Sequence, residues 1–187
     1  AQLEHPNILP IYELEKLPNG SSYFTMAEIR GKTLEDAICA LHKARSEDGW
    51  SSMPDGWSFR RLIDAFRQIC DAVSYAHKRG VIHRDLKPGN VIVMPDRTGP
   101  GAVKLADFGI ALAMSETKAS DRRIEGTPAY IAPEAASGDV ASVGPWTDLY
   151  SLGVMLFEIL TGDLPYHGRH LLSHHQRTPI PDIEIIE

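Results

Sequence analysis

Residues 148–160 (DLYSLGVMLFEIL) are apolar on almost every side of a helical turn, and this stretch restricts the fold more than any other. A helix that faces water on one side carries polar residues there. One that is apolar all round has to be wrapped by other elements. The run holds Glu158 and is far shorter than the roughly 20 apolar residues a membrane span needs, so it predicts a buried core helix, stopped by Gly162. A chain of 187 residues, 43% of them hydrophobic, has enough apolar material to wrap it within one domain or a large piece of one.

A second helix is legible upstream. Phe59, Leu62, Ile63, Phe66, Ile69, Cys70 and Val73 recur at helical spacing; Ser58 is the expected N-cap and Gly80 the stop, past Arg79. Cys70 lies on that stripe, which predicts its burial. Residues 33–44 predict a shorter helix with Thr33 as its cap and Leu34, Ile38 and Leu41 on one face. Ile8–Leu14 and Ser21–Met26, joined by Leu17-Pro18-Asn19-Gly20, predict a β-hairpin. Val81-Ile82, Val91–Met94 and Val103–Leu105 read as short strands, and residues 45–57 as a loop or insertion. Residues 115–127 are polar without apolar period and read as a mobile loop, and the segment after Pro165 is weakly patterned.

Composition removes several function classes. Nineteen basic against 25 acidic residues and a pI near 5.7 argue against a protein that binds mainly nucleic-acid phosphates. Cys39 and Cys70 are far apart in sequence and form no C-x-x-C pair, which argues against a disulfide framework or a cysteine zinc site. The start, AQLEHPNILP, has neither the basic nor the apolar region of a signal peptide.

Three motifs then occur in a fixed order: His83-Arg84-Asp85-Leu86-Lys87-Pro88-Gly89-Asn90, Asp107-Phe108-Gly109 and Ala132-Pro133-Glu134. A lone Asp-Phe-Gly is more often an ordinary turn, and an isolated Asp or Lys more often a solvated charge. The eight-residue loop followed by both others is specific, and the order resembles the catalytic loop, metal-binding turn and activation-segment end of eukaryotic-type serine/threonine protein kinases. The resemblance implies an α+β, bilobal protein-kinase-like fold, mainly the helical C-lobe with a partial N-lobe sheet. It spans roughly positions 5–166 and implies a kinase domain truncated at both ends, with 1–30 an N-lobe remnant and hinge and 31–187 an incomplete C-lobe.

Phosphoryl transfer asks for positioning and charge neutralisation around an oxygen-rich centre. By the resemblance, Asp85 orients a substrate hydroxyl and accepts its proton, and Lys87 neutralises the transferring phosphate. Asn90 and Asp107 are the implied metal ligands, suited to Mg²⁺ as hard oxygen donors. Met26, Ala27, Ile29 and Ile92, with Lys87, Asn90 and Asp107, form the implied ATP-binding set; Met26 falls at the gatekeeper and Ala27 to Ile29 at the hinge. Lys87-Pro88 and Gly126-Thr127-Pro128-Ala129-Tyr130 resemble the serine/threonine branch, in which the Thr127 hydroxyl bridges the catalytic aspartate and lysine; a phosphosite is its alternative role. His83 and Phe108 are implied core packing, Asp148 the buried anchor of the catalytic-loop backbone, and Glu134 an ion-pair partner. Arg84 implies a phosphorylated activation-loop partner, with Ser115, Thr117 and Ser120 as candidate autophosphorylation sites; Arg122-Arg123-Ile124 stands where relatives often carry the acceptor.

Departures matter too. No G-x-G-x-x-G occurs in the 187 residues, and Lys104 of Ala102-Val103-Lys104 lies on the wrong side of the motif order to hold ATP phosphates, so it reads as a strand residue. The implied consequence is weak ATP binding by these residues alone. His170 and His174 have zinc-compatible spacing, but His167, His170, His174 and His175 lack an acidic or third ligand at a defined spacing and read as a surface helix. Ile110-Ala111 after Gly109 resembles bacterial members. The expectation is therefore a bacterial protein kinase that transfers the ATP γ-phosphate to protein Ser/Thr hydroxyls. Its catalytic domain would be cytoplasmic, and the parent protein could still be anchored in a membrane. Rival readings are a non-catalytic pseudokinase-like interaction module and a small-molecule phosphotransferase of the same fold.

Overall fold

A computed structural model describes residues 3–17, 22–45, 49–50, 56–94, 102–108, 126–138, 140–168 and 171–183. Strands β1 (Ile11–Lys16) and β2 (Ser22–Met26) pair antiparallel as the expected hairpin, with a register irregularity between Ile11 and Glu13; its turn at 18–21 lies outside the described residues. The first strand starts later than expected because Ile8 and Leu9 go elsewhere. The Leu9 N–H donates to the Leu105 carbonyl at 2.9 Å, the Leu105 N–H donates to the Asn7 carbonyl at 2.8 Å, and Ile8 is 2% exposed. Burial of two apolar side chains outweighs extension of an exposed ribbon.

Strand β3 (Lys32–Thr33) has no counterpart in the sequence reading, since two residues carry no alternation. It leads directly into α1 (Leu34–Lys43), which Thr33 caps as expected. The Thr33 Oγ1 accepts the Asp36 N–H at 3.1 Å and the Asp36 carboxylate accepts the Thr33 N–H at 3.0 Å, a reciprocal cap of the kind worth about 1 kcal/mol. Leu34, Ala37, Ile38 and Leu41 then face the core. Helix α2 (Phe59–His77) is capped by the Ser58 hydroxyl, which accepts the Arg61 N–H at 3.3 Å, and Gly80 follows with φ of +73°.

Its buried stripe runs through Leu62, Ala65, Gln68, Ile69, Ala72, Val73 and Ala76. Four stripe assignments shift: Ile63 is 36% exposed, and Phe59, Phe66 and Cys70 are half-buried, because the stripe is centred on small alanines and these four sit at its edges. Gln68 is buried because its Oε1 accepts the Asn7 side-chain N–H at 2.7 Å, pinning the His5–Ile8 turn to α2.

After a single 3₁₀ turn at Pro88–Asn90 come β4 (Val91–Val93) and β5 (Val103–Leu105), which with β3 form an antiparallel sheet of order β3-β4-β5. Val81-Ile82 is not a strand. The Val81 N–H closes the end of α2 on the Ala76 carbonyl at 3.1 Å, and past Ile82 the amides of His83 and Arg84 bond to a side chain rather than to a neighbouring strand. Helix α3 (Pro133–Ala136) and a 3₁₀ turn at Val140–Ser142 precede α4 (Pro145–Thr161), the apolar helix.

Helix α4 packs against α2 and fully buries Met155 and Ile159. Its burial is not uniform: Leu149 is 59% exposed. Gly162 ends α4 with φ of +78°, and the His42 ring of α1 occupies the space its Cβ would take, 2.5 Å away. His42 Nε2 also meets the Ile159 carbonyl at 2.9 Å, joining α1 to α4. The loop before α2 contributes more than a connection: Trp57 is in the core, and Trp50 stacks on Phe59 at 4.8 Å. The weakly patterned tail forms α5 (Leu171–Arg177), and no helix among the described residues is long and apolar enough to cross a membrane.

Candidate active site

The loop that follows α2 is held by one buried carboxylate. Asp148, in the first turn of α4 and 1% exposed, accepts the backbone N–H groups of His83 and Arg84, each at 2.9 Å, and the His77 Nε2–H at 2.7 Å. Arg84 has φ of +69°, a left-handed conformation that a non-glycine residue keeps only where its surroundings hold it. The two amide bonds to Asp148 do so, at the residues just before Asp85. His77 carries no motif signal and was missed in the sequence; its place at the last turn of α2, opposite the Asp148 anchor, explains it.

Asp85, Lys87 and Thr127 converge as the sequence implied. Lys87 Nζ donates to Asp85 Oδ2 at 2.8 Å and to Thr127 Oγ1 at 2.6 Å, and the Thr127 hydroxyl and N–H both donate to Asp85 Oδ1 at 2.8 Å. The side chain of Asp85 is 35% exposed, so this network opens to solvent. Burial pushes the Asp85 carboxyl up, but the bonds from Lys87 and Thr127 together hold it below the usual carboxylate value. It is therefore an anion at neutral pH with a cation and a hydroxyl fixed on it.

Asn90, in the 3₁₀ turn, joins the same group: its Nδ2 donates to the Asp85 carbonyl at 2.9 Å and to Oδ2 at 3.2 Å. The Ala106 N–H donates to the Asn90 carbonyl at 2.9 Å, so Asn90 and the residue before Asp107 are tied together. Asp107 has φ of +67° and is half-buried at the end of β5. His83 and Phe108 are each 2% exposed and meet edge to face at 4.6 Å, the packing role expected of them. His83 Nε2 donates to the Ala106 carbonyl at 2.8 Å while Nδ1 accepts the Asp85 N–H at 3.4 Å, a pattern that requires the neutral ring. Burial lowers the His83 pKa against the pull of Asp148, Asp85 and Asp107, which agrees.

Gly126–Tyr130 is anchored at both ends. The Tyr130 N–H closes a turn on the Thr127 carbonyl at 2.9 Å, Ser151 of α4 donates to the Tyr130 carbonyl at 2.8 Å, and the Tyr130 hydroxyl donates to Glu158 at 2.6 Å. Ser151 and Glu158 were read simply as parts of an apolar helix. Their i, i+7 spacing on one face was the available signal. Glu134 accepts the Thr147 hydroxyl at 2.7 Å. Met26 ends β2 and is 44% exposed, Ala27 and Ile29 lie in the segment between β2 and β3, and Ile92 is half-buried in β4 opposite Thr33 and Lys104. Lys104 is a strand residue, as expected, its Nζ on the Pro6 carbonyl. Gly109, Ser115, Thr117, Ser120 and Arg122-Arg123-Ile124 lie outside the described residues, as does His170.

A protein kinase domain model matches residues 1–185. The chain belongs to the protein kinase family. This kinase domain is similar to bacterial serine/threonine-protein kinases. It is 36% identical to PknB of Mycobacterium leprae over 97% of the chain and 28% of that relative. It is 34% identical to the probable PknB of Lactococcus lactis over 98% of the chain and 27% of the relative. With PknD of Protochlamydia amoebophila it shares 36% identity over 89% of the chain and 18% of the relative. The chain thus spans less than a third of the length of these relatives. The α+β architecture described above is that of the kinase family.

Proposed function

We propose that the protein transfers the γ-phosphate of ATP to serine and threonine hydroxyls of protein substrates, with Asp85 as the catalytic base. The observation that carries this reading is the Thr127 hydroxyl seated between Lys87 Nζ and Asp85 Oδ1. It couples the loop that would hold a peptide to the group that would take its proton. Asp85, kept anionic, orients the incoming hydroxyl; Lys87 brings positive charge to the phosphoryl group in transit.

The residues present fit a magnesium–nucleotide complex. Asn90 turns its amide nitrogen to Asp85, which leaves its oxygen for a ligand, and the Ala106–Asn90 bond, one residue before Asp107, supports Asp107 as the carboxylate partner. An amide oxygen and a carboxylate are hard donors of the kind Mg²⁺ takes together with phosphates. Bound there, the ion would neutralise charge on the transferred group. Ala27 and Ile29 would meet adenine through the hinge backbone, beside Met26 and above Ile92. In this reading residues 1–30 supply the sheet edge and hinge, and residues 31–187 the catalytic lobe.

The test is ATP-dependent labelling of a general protein substrate by the full-length protein, followed by phosphoamino-acid analysis. Phosphoserine or phosphothreonine, lost in Asp85→Ala, is expected. Absence of transfer by the unaltered full-length protein, or equal labelling by Asp85→Ala, would overturn it. Autophosphorylation at Ser115, Thr117 or Ser120 would appear in the same experiment as label on the kinase itself.

A further inference from the structure

Helix α5 packs on α3 and carries two neighbouring histidines that both face the Tyr166 ring, His174 stacked at 5.9 Å and His175 edge-on at 4.9 Å. Their surroundings differ. His174 is half-buried, and its Nδ1 reaches the Thr178 hydroxyl at 3.1 Å. His175 is 5% exposed, and its Nδ1 meets the Tyr150 hydroxyl of α4 at 2.7 Å. Its Nε2 is the one buried side-chain polar atom among the described residues without a hydrogen-bond partner.

A neutral ring suits this seat and a charged one does not. Tyr150 is pushed up to about 12, chiefly by burial, so its hydroxyl keeps its hydrogen. That hydroxyl and Nδ1 pair as donor and acceptor in either neutral tautomer. A protonated ring carries hydrogens on both nitrogens: Nδ1–H turns the Tyr150 hydrogen away, Nε2–H becomes a buried donor with no acceptor, and the charge loses its water. The carboxylates of the neighbouring elements are engaged elsewhere. Glu134 of α3 accepts the Thr147 hydroxyl; on α4, Asp148 serves His77 and the catalytic loop, and Glu158 serves Tyr130. The segment before α5 brings Tyr166, whose hydroxyl donates to the Thr178 carbonyl, and the exposed His167–Asp163 pair. Helix α5 itself adds only His174 and the exposed Arg177, neither of which attracts a cation. Burial lowers the His175 pKa; the Pro128 and Ala129 carbonyls oppose it, yet neither meets Nε2 in hydrogen-bonding geometry.

We infer that His175 is a pH-sensitive latch for α5: the helix stays docked on α3 and α4 while the ring is neutral and is released when the ring takes a proton. Undocked, the ring binds its proton near the ordinary value of 6.5; docked, it resists. Docking is therefore complete above 6.5 and weakens as pH falls through it. From pH 7.5 to 5.5 the undocked form gains up to about tenfold on the docked one, the factor by which proton binding to the open ring grows. Release takes a packing partner from α3, the helix that follows the Thr127 loop. The latch is a property of the fold and does not depend on which reaction the site performs.

The experiment follows hydrogen exchange of the α5 amides, through Thr178, whose N–H donates to the His174 carbonyl at 2.9 Å. The full-length protein is measured at pH 7.5 and 5.5, with each rate corrected for intrinsic exchange at that pH. The unaltered protein is expected to lose about tenfold in α5 protection at the lower pH. His175→Phe keeps a ring that cannot take a proton, and its protection should hold within about twofold. His175→Gln, smaller and also uncharged, is the second neutral variant and should behave alike should the Phe ring fail to pack. His174→Gln should respond to acid like the unaltered protein. A loss below about twofold in the unaltered protein overturns the inference. So does an equal loss in the neutral His175 variants, or disappearance of the response in His174→Gln, since either assigns the acid response to another group.

Discussion

Replacing Asp148 by asparagine changes little in shape and a great deal in hydrogen bonding. The carboxylate accepts from three donors: Arg84 N–H on Oδ1, and His83 N–H and His77 Nε2–H on Oδ2. An asparagine has one acceptor oxygen and an NH₂ that is itself a donor. If the oxygen faces His83 and His77, the NH₂ confronts the Arg84 N–H; turned round, it confronts the other two. At least one buried donor is left unpaired, costing about 1–3 kcal/mol, and the surviving bonds lose their charge-assisted strength. Relaxation of the left-handed Arg84, held at φ +69°, returns part of this, on the order of 1 kcal/mol. The net loss is about 2–3 kcal/mol, which lowers a urea midpoint by roughly 1 M. The assay is urea unfolding followed by tryptophan fluorescence. Because the relaxed loop also carries Asp85, kcat should drop by about 100-fold, the effect of an ångström-scale misplacement. A midpoint within about 0.2 M of the unaltered protein would show that Asp148 does not hold this loop, and the reasoning would be wrong.

Thr127→Val keeps the volume but removes the hydroxyl between Lys87 and Asp85; kcat/KM should fall by about 10–100-fold while Thr127→Ser stays near the starting value, and equal activity of the two variants would refute the bridging role. Gly162→Ala places a Cβ at 2.5 Å from the His42 ring in a left-handed conformation, so calorimetry should show melting about 4–8 °C lower; an unchanged melting temperature contradicts the tight α1–α4 contact. The pH dependence follows from His83. Its folded pKa is depressed by burial, so below about 6.5 the unfolded chain binds a proton that the folded ring resists, and stability falls as pH drops from 6.5 toward the folded value. Glu158, raised by burial, acts in the opposite sense but is common to both proteins compared. The urea midpoint should therefore fall more between pH 7.5 and 5.5 in the unaltered protein than in His83→Phe; identical slopes refute the assignment.

Much of the site was readable because the reaction requires particular residue types at close spacing. Asp85, Lys87 and Asn90 lie on one short loop, so their spacing brings them together with little help, and the hydrogen bonds among them agree. Thr127 needed the family resemblance, since it lies 42 residues from Asp85. The capped helices α1 and α2 were equally legible, because a cap and its apolar stripe are local. Short strands were not: β3 owes its existence to β4, and at Val81-Ile82 the end of α2 took the Val81 amide while Asp148 took those of His83 and Arg84 just beyond. Gln68, Ser151 and Trp57 are likewise defined by what they touch.

The sequence by itself determined the chemistry available, the family and the long apolar helix that packs on α2. The tertiary structure decided which groups share a space. The Asp148–His77 bond, the Tyr130–Glu158 bond and the Tyr150–His175 bond each join residues on different elements. The physical reason is reach: hydrogen bonds and burial act over a few ångströms, while sequence spacing predicts proximity only within one helix, strand or turn. Even α4, apolar along its length, leaves Leu149 at its surface, because what lies against each side is set by the packing of α2 and by the bonds from Glu134 and His175.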